Sequence, residues 1–324
     1  MNESLINILS SVVTNATPLV IAGIGETISE RAGVVNLSLD GSLALSAMAG
    51  FVAALASGSV IVGLIVGMLV GMCIALIVAF AGIELRQDQV AVGFVLTLLT
   101  ADLAQFLGQD YTRVPGPQML RSPLPVLSDI PVVGTIFFNQ QPLVYFSYIL
   151  IFVTWYVLFH TRIGLAHRAV GERPEAAYAR GTPVNKLRYV YTGIGGALVG
   201  MAGASYSLAI KPGWTTPPVM AGDGWIALAI VIFGGWHPFR VVLGAYMFAG
   251  LRALSSAIQR SDVDIPLVLL NGLPWVLMVI TLVMVSSGLI ERVLSVLPRP
   301  LQKWTRNFLR SDPPAALGTR FDPD

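Results

Sequence analysis

Charge is what this sequence has least of. Only 12% of the 324 residues are Asp, Glu, Lys or Arg, whereas 55% are hydrophobic and the mean hydropathy is +0.73. Soluble domains carry about 25% charged residues, so a soluble globular fold is excluded. The 20 basic and 18 acidic residues nearly cancel to a formal net charge of +2, and no overall field draws the chain to nucleic acid. Cysteine is nearly absent too. The lone Cys73 lies in an apolar segment, cannot form an intrachain disulfide and reads as a packing residue. Missing as well are the fingerprints of self-contained chemistry: no GxxxxGK phosphate loop, no HExxH, no GxSxG and no GxGxxG. The three histidines His160, His167 and His237 lack metal-ligand spacing. No nucleophile–base pair or metal set can be assembled, which argues against an intramembrane enzyme and predicts no catalytic residue and no metal site. No basic segment precedes the first apolar run and no small-residue cleavage site follows it, so a retained first span is expected.

What the chain does have is apolar runs such as Val60 to Ala81 and Leu143 to His160, near the roughly 20 residues that cross about 30 Å of hydrocarbon. Stopping helices at Gly, Pro and charge clusters gives spans near 5–25, 42–57, 59–82, 89–108, 143–160, 190–210, 224–235, 238–258 and 267–287. The predicted fold is an all-α, polytopic membrane protein of eight to ten transmembrane helices. Spans 42–57 and 224–235 are short enough for half-helices or re-entrant elements, which survive only when buried in protein or facing a cavity. Residues 1–297 read as one membrane domain, and 298–324 as a tail whose end, SDPPAALGTRFDPD, has a disordered composition.

Basic residues favour the cytoplasmic side. With the N-terminus outside, fifteen of the 20 fall inside, concentrated between Arg162 and Arg188 and between Arg292 and Arg320. Arg113, Arg121, Lys211 and Arg260 fall outside, and Arg252 lies within a span. This predicts a cytoplasmic C-terminus, an external loop over 109–142 and a cytoplasmic loop over 161–189.

An ion-coupled carrier needs intramembrane carboxylates. The candidates, Glu26, Asp88, Asp102 and Asp223, all sit near predicted span ends, where solvated helix termini explain them equally well. Polar groups at spans or breaks mark a possible translocation path: Asn36, Ser38 and Asp40 between the first two spans, then Gln89, Thr97 and Asn271. A structural hydrogen bond between helices is the competing reading for each. No strongly charged cluster is apparent within the spans, which favours a neutral solute. Gly63, Gly67 and Gly71 recur every four residues, and Gly196 and Gly200 repeat the spacing, as helix packing requires. Tyr145, Tyr148, Trp155, Tyr156 and Trp214 suit membrane interfaces.

The inner loop places Pro174 at a first helical turn, Glu175, Ala176 and Ala177 after it, and Gly181 where a helix would stop. A solvated connector and a docking helix for a soluble partner both fit. The order Glu175-Ala176-Ala177, three residues, then Gly181 is similar to the EAA loop of bacterial ABC importer permeases. So are GETISERAGVVNLSLDG (25–41), LRQDQVAVGFVLT (85–97), GIGGALVGMAGA (193–204), GDGWIALAIVIFGGWHPFRVVLGA (222–245) and IPLVLLNGLPWVLMVITLV (265–283). Together they resemble the permease family serving simple sugars, nucleosides and branched-chain amino acids, and most of all the shorter permease of nucleoside importers. The chain departs from that pattern at Asp88 and at Thr97, where Asn is common, which puts substrate identity in doubt.

The resemblance implies a bacterial inner-membrane subunit that imports a small neutral solute by alternating access. It implies a cassette ATPase gripping Glu172, Pro174, Glu175, Ala176, Ala177 and Gly181, a second permease (a paralogue or itself) and an extracytoplasmic solute-binding lipoprotein. ATP and Mg would be used by the ATPase, and this chain itself would bind no cofactor. The competing readings are an ion-gradient carrier working through Asp88 or Asp102, and a permease for a sugar or branched-chain amino acid.

Overall fold

A computed structural model describes residues 3–259, 272, 275–277, 279, 280, 283 and 312–322. Among the described residues there are ten α-helices and no β-strand: α1 (Glu3–Arg31), α2 (Leu39–Ser57), α3 (Val60–Ile83), α4 (Gln89–Leu107), α5 (Pro142–His160), α6 (Arg162–Glu172), α7 (Pro174–Ala179), α8 (Val184–Ser205), α9 (Asp223–Phe233) and α10 (Pro238–Gln259). Seven of them are long and apolar enough to cross a membrane, the one containing α8 running on to Ile210 through a π-turn. The all-α polytopic architecture follows from the apolar runs. The predicted span 267–287 lies mostly outside the described residues.

Helix ends are set by local chemistry. The carboxylate of Asp88 accepts the N–H groups of Val90 (2.8 Å) and Ala91 (3.1 Å) and so caps α4. Pro142 opens α5, and Gly58 at φ +69° turns the chain from α2 into α3. α1 runs past the expected stop at residue 25, because Glu26 and Glu30 are buried in the bundle instead of reaching solvent.

The core sits where α1, α2, α3 and α8 meet, with α9 inserted against α1 and α2. α3 and α8 touch backbone to backbone: a Cβ on Gly71 would lie 2.6 Å from the backbone nitrogen of Gly200. The four-residue glycine spacing is therefore a packing seam, as expected. The outer faces of α3, α4 and α5 are apolar and exposed, as lipid-facing surfaces are.

Two expectations fail here. Cys73 is on the exposed face of α3, not in the packing, because the seam occupies the opposite side. Trp214 is buried beneath Gly108 instead of lying at an interface, since the chain after α8 folds back over the end of α4.

The end of the chain also departs from its composition. Residues 312–322 form a turn laid across α6, α7 and the α1–α2 connection, where the sequence pattern predicts disorder. A Pro-rich segment with little apolar surface can be ordered when neighbouring backbone supplies its hydrogen bonds.

Candidate functional site

Between Arg31 and Leu39 the chain leaves the helix inside the bundle, and its freed backbone groups need partners there. The partners come from two helices, α1 and α4, and from the break itself. The N–H of Val35 donates to Gln89 Oε1 (2.9 Å), and that of Asn36 donates to Glu26 Oε1 (3.3 Å). The Thr97 hydroxyl donates to the carbonyl of Leu37 (2.9 Å) and accepts the N–H of Gly41 (3.4 Å). Asn36 Oδ1 closes the turn by accepting both the N–H (3.1 Å) and the hydroxyl (2.5 Å) of Ser38.

α9 runs beside this break and is clamped at both ends. Its 11 residues make a rod of about 16 Å, half of a membrane crossing, so it is a half-helix. At its start Asp40 Oδ1 accepts the N–H groups of Gly222 (2.8 Å) and Gly224 (3.0 Å), a carboxylate at a helix N-terminus. At its far end the Arg31 guanidinium donates to the Trp236 carbonyl (2.6 Å), and the Trp236 indole N–H donates to Glu30. Asp223 is 1% exposed, pairs with Arg252 and accepts the Tyr206 hydroxyl (2.5 Å). Between break and half-helix lies a cavity of about 260 Å³ lined by Glu30, Val35, Leu37, Trp225, Leu228, Ala229 and Ile232.

The fold thus brings Asn36, Ser38, Asp40, Gln89 and Thr97 into one region, while Asn271 lies outside the described residues. All five hold backbone or each other, and none lines the cavity. The expectation of no charged cluster within the spans is corrected: Asp40, Asp223 and Arg252 meet, because α2, α9 and α10 converge there. Sequence reading also passed over Glu30 and Trp236, and placed Glu26 at a span end, although it is fully buried. Asp88 caps a helix and Asp102 is exposed on α4.

At the end of α1 sits the α6–α7 pair. α7 has Pro174 in its first turn and Glu175 beside it, and Gly181 at φ +82° donates its N–H to the Tyr178 carbonyl (2.8 Å), ending the helix as the sequence predicts. Pro174 and Ala177 are buried, the latter against Val170 and Val184. Glu172, Glu175, Ala176 and Gly181 face outward. A groove of about 250 Å³ between the two helices is lined by Ala169, Glu172, Arg173, Ala176, Ala177 and Arg180.

His167 joins α6 to α1. Its Nε2 lies 2.8 Å from the Ile28 carbonyl and its ring stacks on Tyr191 at 3.8 Å. Burial pushes its pKa down to about 4 against the contrary pull of that hydrogen bond, and the charges of Arg31 and Arg168 push the same way as burial. The ring is neutral at pH 7, so Nε2 carries the proton donated to Ile28. His237, at the α9–α10 corner, is likewise held down at about 4 by burial, then by Arg240 and Arg31.

Residues 8–287 match the family described as branched-chain amino acid transport system, permease component. The chain is 33% identical to the nucleoside ABC transporter permease protein NupC of Lactococcus lactis over 86% of this chain and 93% of NupC. It is 33% identical to the guanosine ABC transporter permease protein NupQ of Bacillus subtilis, over 86% of this chain and 92% of NupQ. It is also 39% identical, over 76% of each chain, to TsgC13 of Haloferax volcanii, an ABC transporter permease provisionally named for glucose.

Proposed function

Since the chain belongs to the branched-chain amino acid transport system permease family of ABC transporters, we propose that it is the membrane-spanning subunit of an importer for a small neutral solute of the nucleoside class. The relatives named for nucleosides and guanosine, matched along nearly their whole length, support that substrate class over a sugar. The observation that carries the coupling role is α7: a six-residue helix with a buried Pro174–Ala177 side and an outward Glu175, set beside an open groove at one end of the bundle.

In this reading the α6–α7 end and the C-terminus are cytoplasmic. A cassette ATPase, which uses ATP and Mg, grips Glu172, Glu175, Ala176 and Gly181, while Pro174 and Ala177 anchor the helix. A second permease completes the path, and an extracytoplasmic binding lipoprotein delivers the solute. The half-helix beside the break supplies the bistable element of alternating access. Asn36, Ser38, Asp40, Gln89 and Thr97 act by holding that element and so belong to the path, and Asn271 is assigned to the path from the sequence alone. Asp88 as a helix cap and Asp102 on an exposed face give an ion-gradient mechanism no support.

The test is uptake of radiolabelled guanosine by proteoliposomes containing the chain with the ATPase, second permease and binding protein that co-purify with it. ATP-dependent uptake is expected, and the double variant Glu175→Lys, Gly181→Leu is expected to abolish it while leaving insertion intact. Uptake by the chain alone, driven by an ion gradient, would overturn the reading.

A further inference from the structure

The turn at residues 312–322 touches every element of the coupling end. The N–H of Ala316 donates to the Gly171 carbonyl in α6 (2.9 Å), and that of Ala315 to the Glu172 carboxylate (3.2 Å). The N–H of Gly318 donates to the Gly33 carbonyl at the start of the break (3.0 Å). Phe321 lies 5.5 Å from the Tyr178 ring of α7, centroid to centroid, and packs against the Val170, Ala177 and Val184 cluster. Asp322 pairs with Arg86 before α4 (2.9 Å).

Arg188 sits beneath this turn. It is 1% exposed, its Nη1 donates to the Thr319 carbonyl (3.0 Å), and among the described residues its Nε and Nη2 have no partner. Glu175 is the acidic group whose field reaches it. A buried guanidinium with only one neutral acceptor is costly to keep, which fits a site selected for position more than for stability.

We propose that residues 312–322 are a strut that fixes the α6–α7 pair to the α1–α2 break, with Arg188 as its positioning residue. The reason is mechanical. Without the turn, α6 meets the end of α1 through Gly171, packed on the Arg31 carbonyl, and through His167 on Ile28, both on one side of α6. The pair's other contacts, His167 on Tyr191 and Ala177 on Val184, run to α8, and none of these is a hydrogen bond from the pair to residues 33–38. The turn adds contacts on α6, α7 and Gly33 together, so a push on α7 is delivered to residues 33–38 and thence to Asp40 and α9. The strut rests on the permease reading only for the identity of what pushes.

Two measurements separate the strut from that reading. In lipid nanodiscs, the chain truncated after residue 311 is compared with the full chain by amide hydrogen exchange. Exchange is expected to rise about tenfold in residues 165–180 and in 32–38 together. Unchanged exchange in 32–38 overturns the strut. If truncation prevents folding, Arg188→Met and Arg188→Lys replace it: the first, which has no N–H, is expected to loosen both segments, and the second, which keeps an N–H for Thr319, to restore most of the protection. Equal behaviour of Met and Lys overturns the positioning role. In proteoliposomes the truncated chain is expected to keep its ATPase bound while guanosine taken up per ATP falls about tenfold, and a ratio within about twofold of the full chain overturns the strut. No ATP-driven uptake by the full chain would sink the permease reading instead, leaving the exchange result to decide the strut.

Discussion

The α3–α8 seam and the α1–α2 break solve opposite problems in the same bundle. At the seam every backbone group is already bonded within its helix, and the glycines let two such rods touch. At the break the helix is interrupted, and Glu26, Gln89, Thr97 and Asn36 take over its hydrogen bonds. The seam therefore tolerates no added atom, whereas the break tolerates no lost oxygen. A transporter needs both: a body that does not deform and an element that can be rearranged by exchanging a few polar contacts.

The largest expected effect comes from filling the seam. Gly200→Leu, which would drive a side chain into the Gly67 backbone, should leave no folded chain recoverable from membranes in a thermal-stability and size-exclusion assay, and Gly71→Leu should do the same. Next is the charge pair beside the break. Arg252→Met leaves Asp223 buried without its cation, and a loss of about 3 kcal/mol is expected by denaturation in mild detergent. Removing both charges, Asp223→Asn with Arg252→Met, should recover part of it.

Gln89→Leu and Thr97→Val should each cost about 1–3 kcal/mol and raise hydrogen exchange at residues 35–41, not in α3 or α8. An equal rise in both regions would mean that the break and the seam do not differ.

A pH change should loosen the α6–α1 contact near the break while sparing the seam. His167 binds its proton with a pKa of about 4 when folded and about 6.5 when unfolded, so the unfolded chain holds more protons between those values and stability rises with pH. Going from pH 7 to pH 5 should cost about 1–2 kcal/mol, and His167→Asn should flatten that part of the profile. Smallest is the control: Gly250→Ala, at a glycine of α10 with open space around it, should change stability by less than about 1 kcal/mol.

The two regions were unequally legible in the sequence. The seam was readable because its signal is local, a glycine every four residues on one face. The break was half readable: Asn36, Ser38, Asp40, Gln89 and Thr97 stood out as polar groups among apolar ones, but their partners did not. Gln89 is 54 residues from Val35, and Asp40 is 182 from Gly222, and no periodicity connects them. Arg252 was counted as a cation inside a span, yet its carboxylate could not be named before α9 and α10 were packed together. α7 was legible as a short helix between Pro174 and Gly181, since proline, an acidic first turn and a terminal glycine are local instructions, although a solvated connector fitted the same residues; the neighbouring α6 was not legible.

By itself the sequence determined that this is a membrane protein, where most of its helices run, that 42–57 and 224–235 were both short enough for half-helices, and which loop carries an EAA pattern. Those follow from composition and from signals a few residues long, because hydrocarbon dictates apolar length and backbone geometry dictates caps. Only the tertiary structure decided that α2 is long enough to cross while α9 is not, that the polar break is held from α1 and α4, that α9 is clamped at both ends, and that a Pro-rich tail segment lies ordered on α6 and α7. Each of the last three rests on hydrogen bonds and charge pairs between residues remote in the chain, and their partners become neighbours only when the bundle closes.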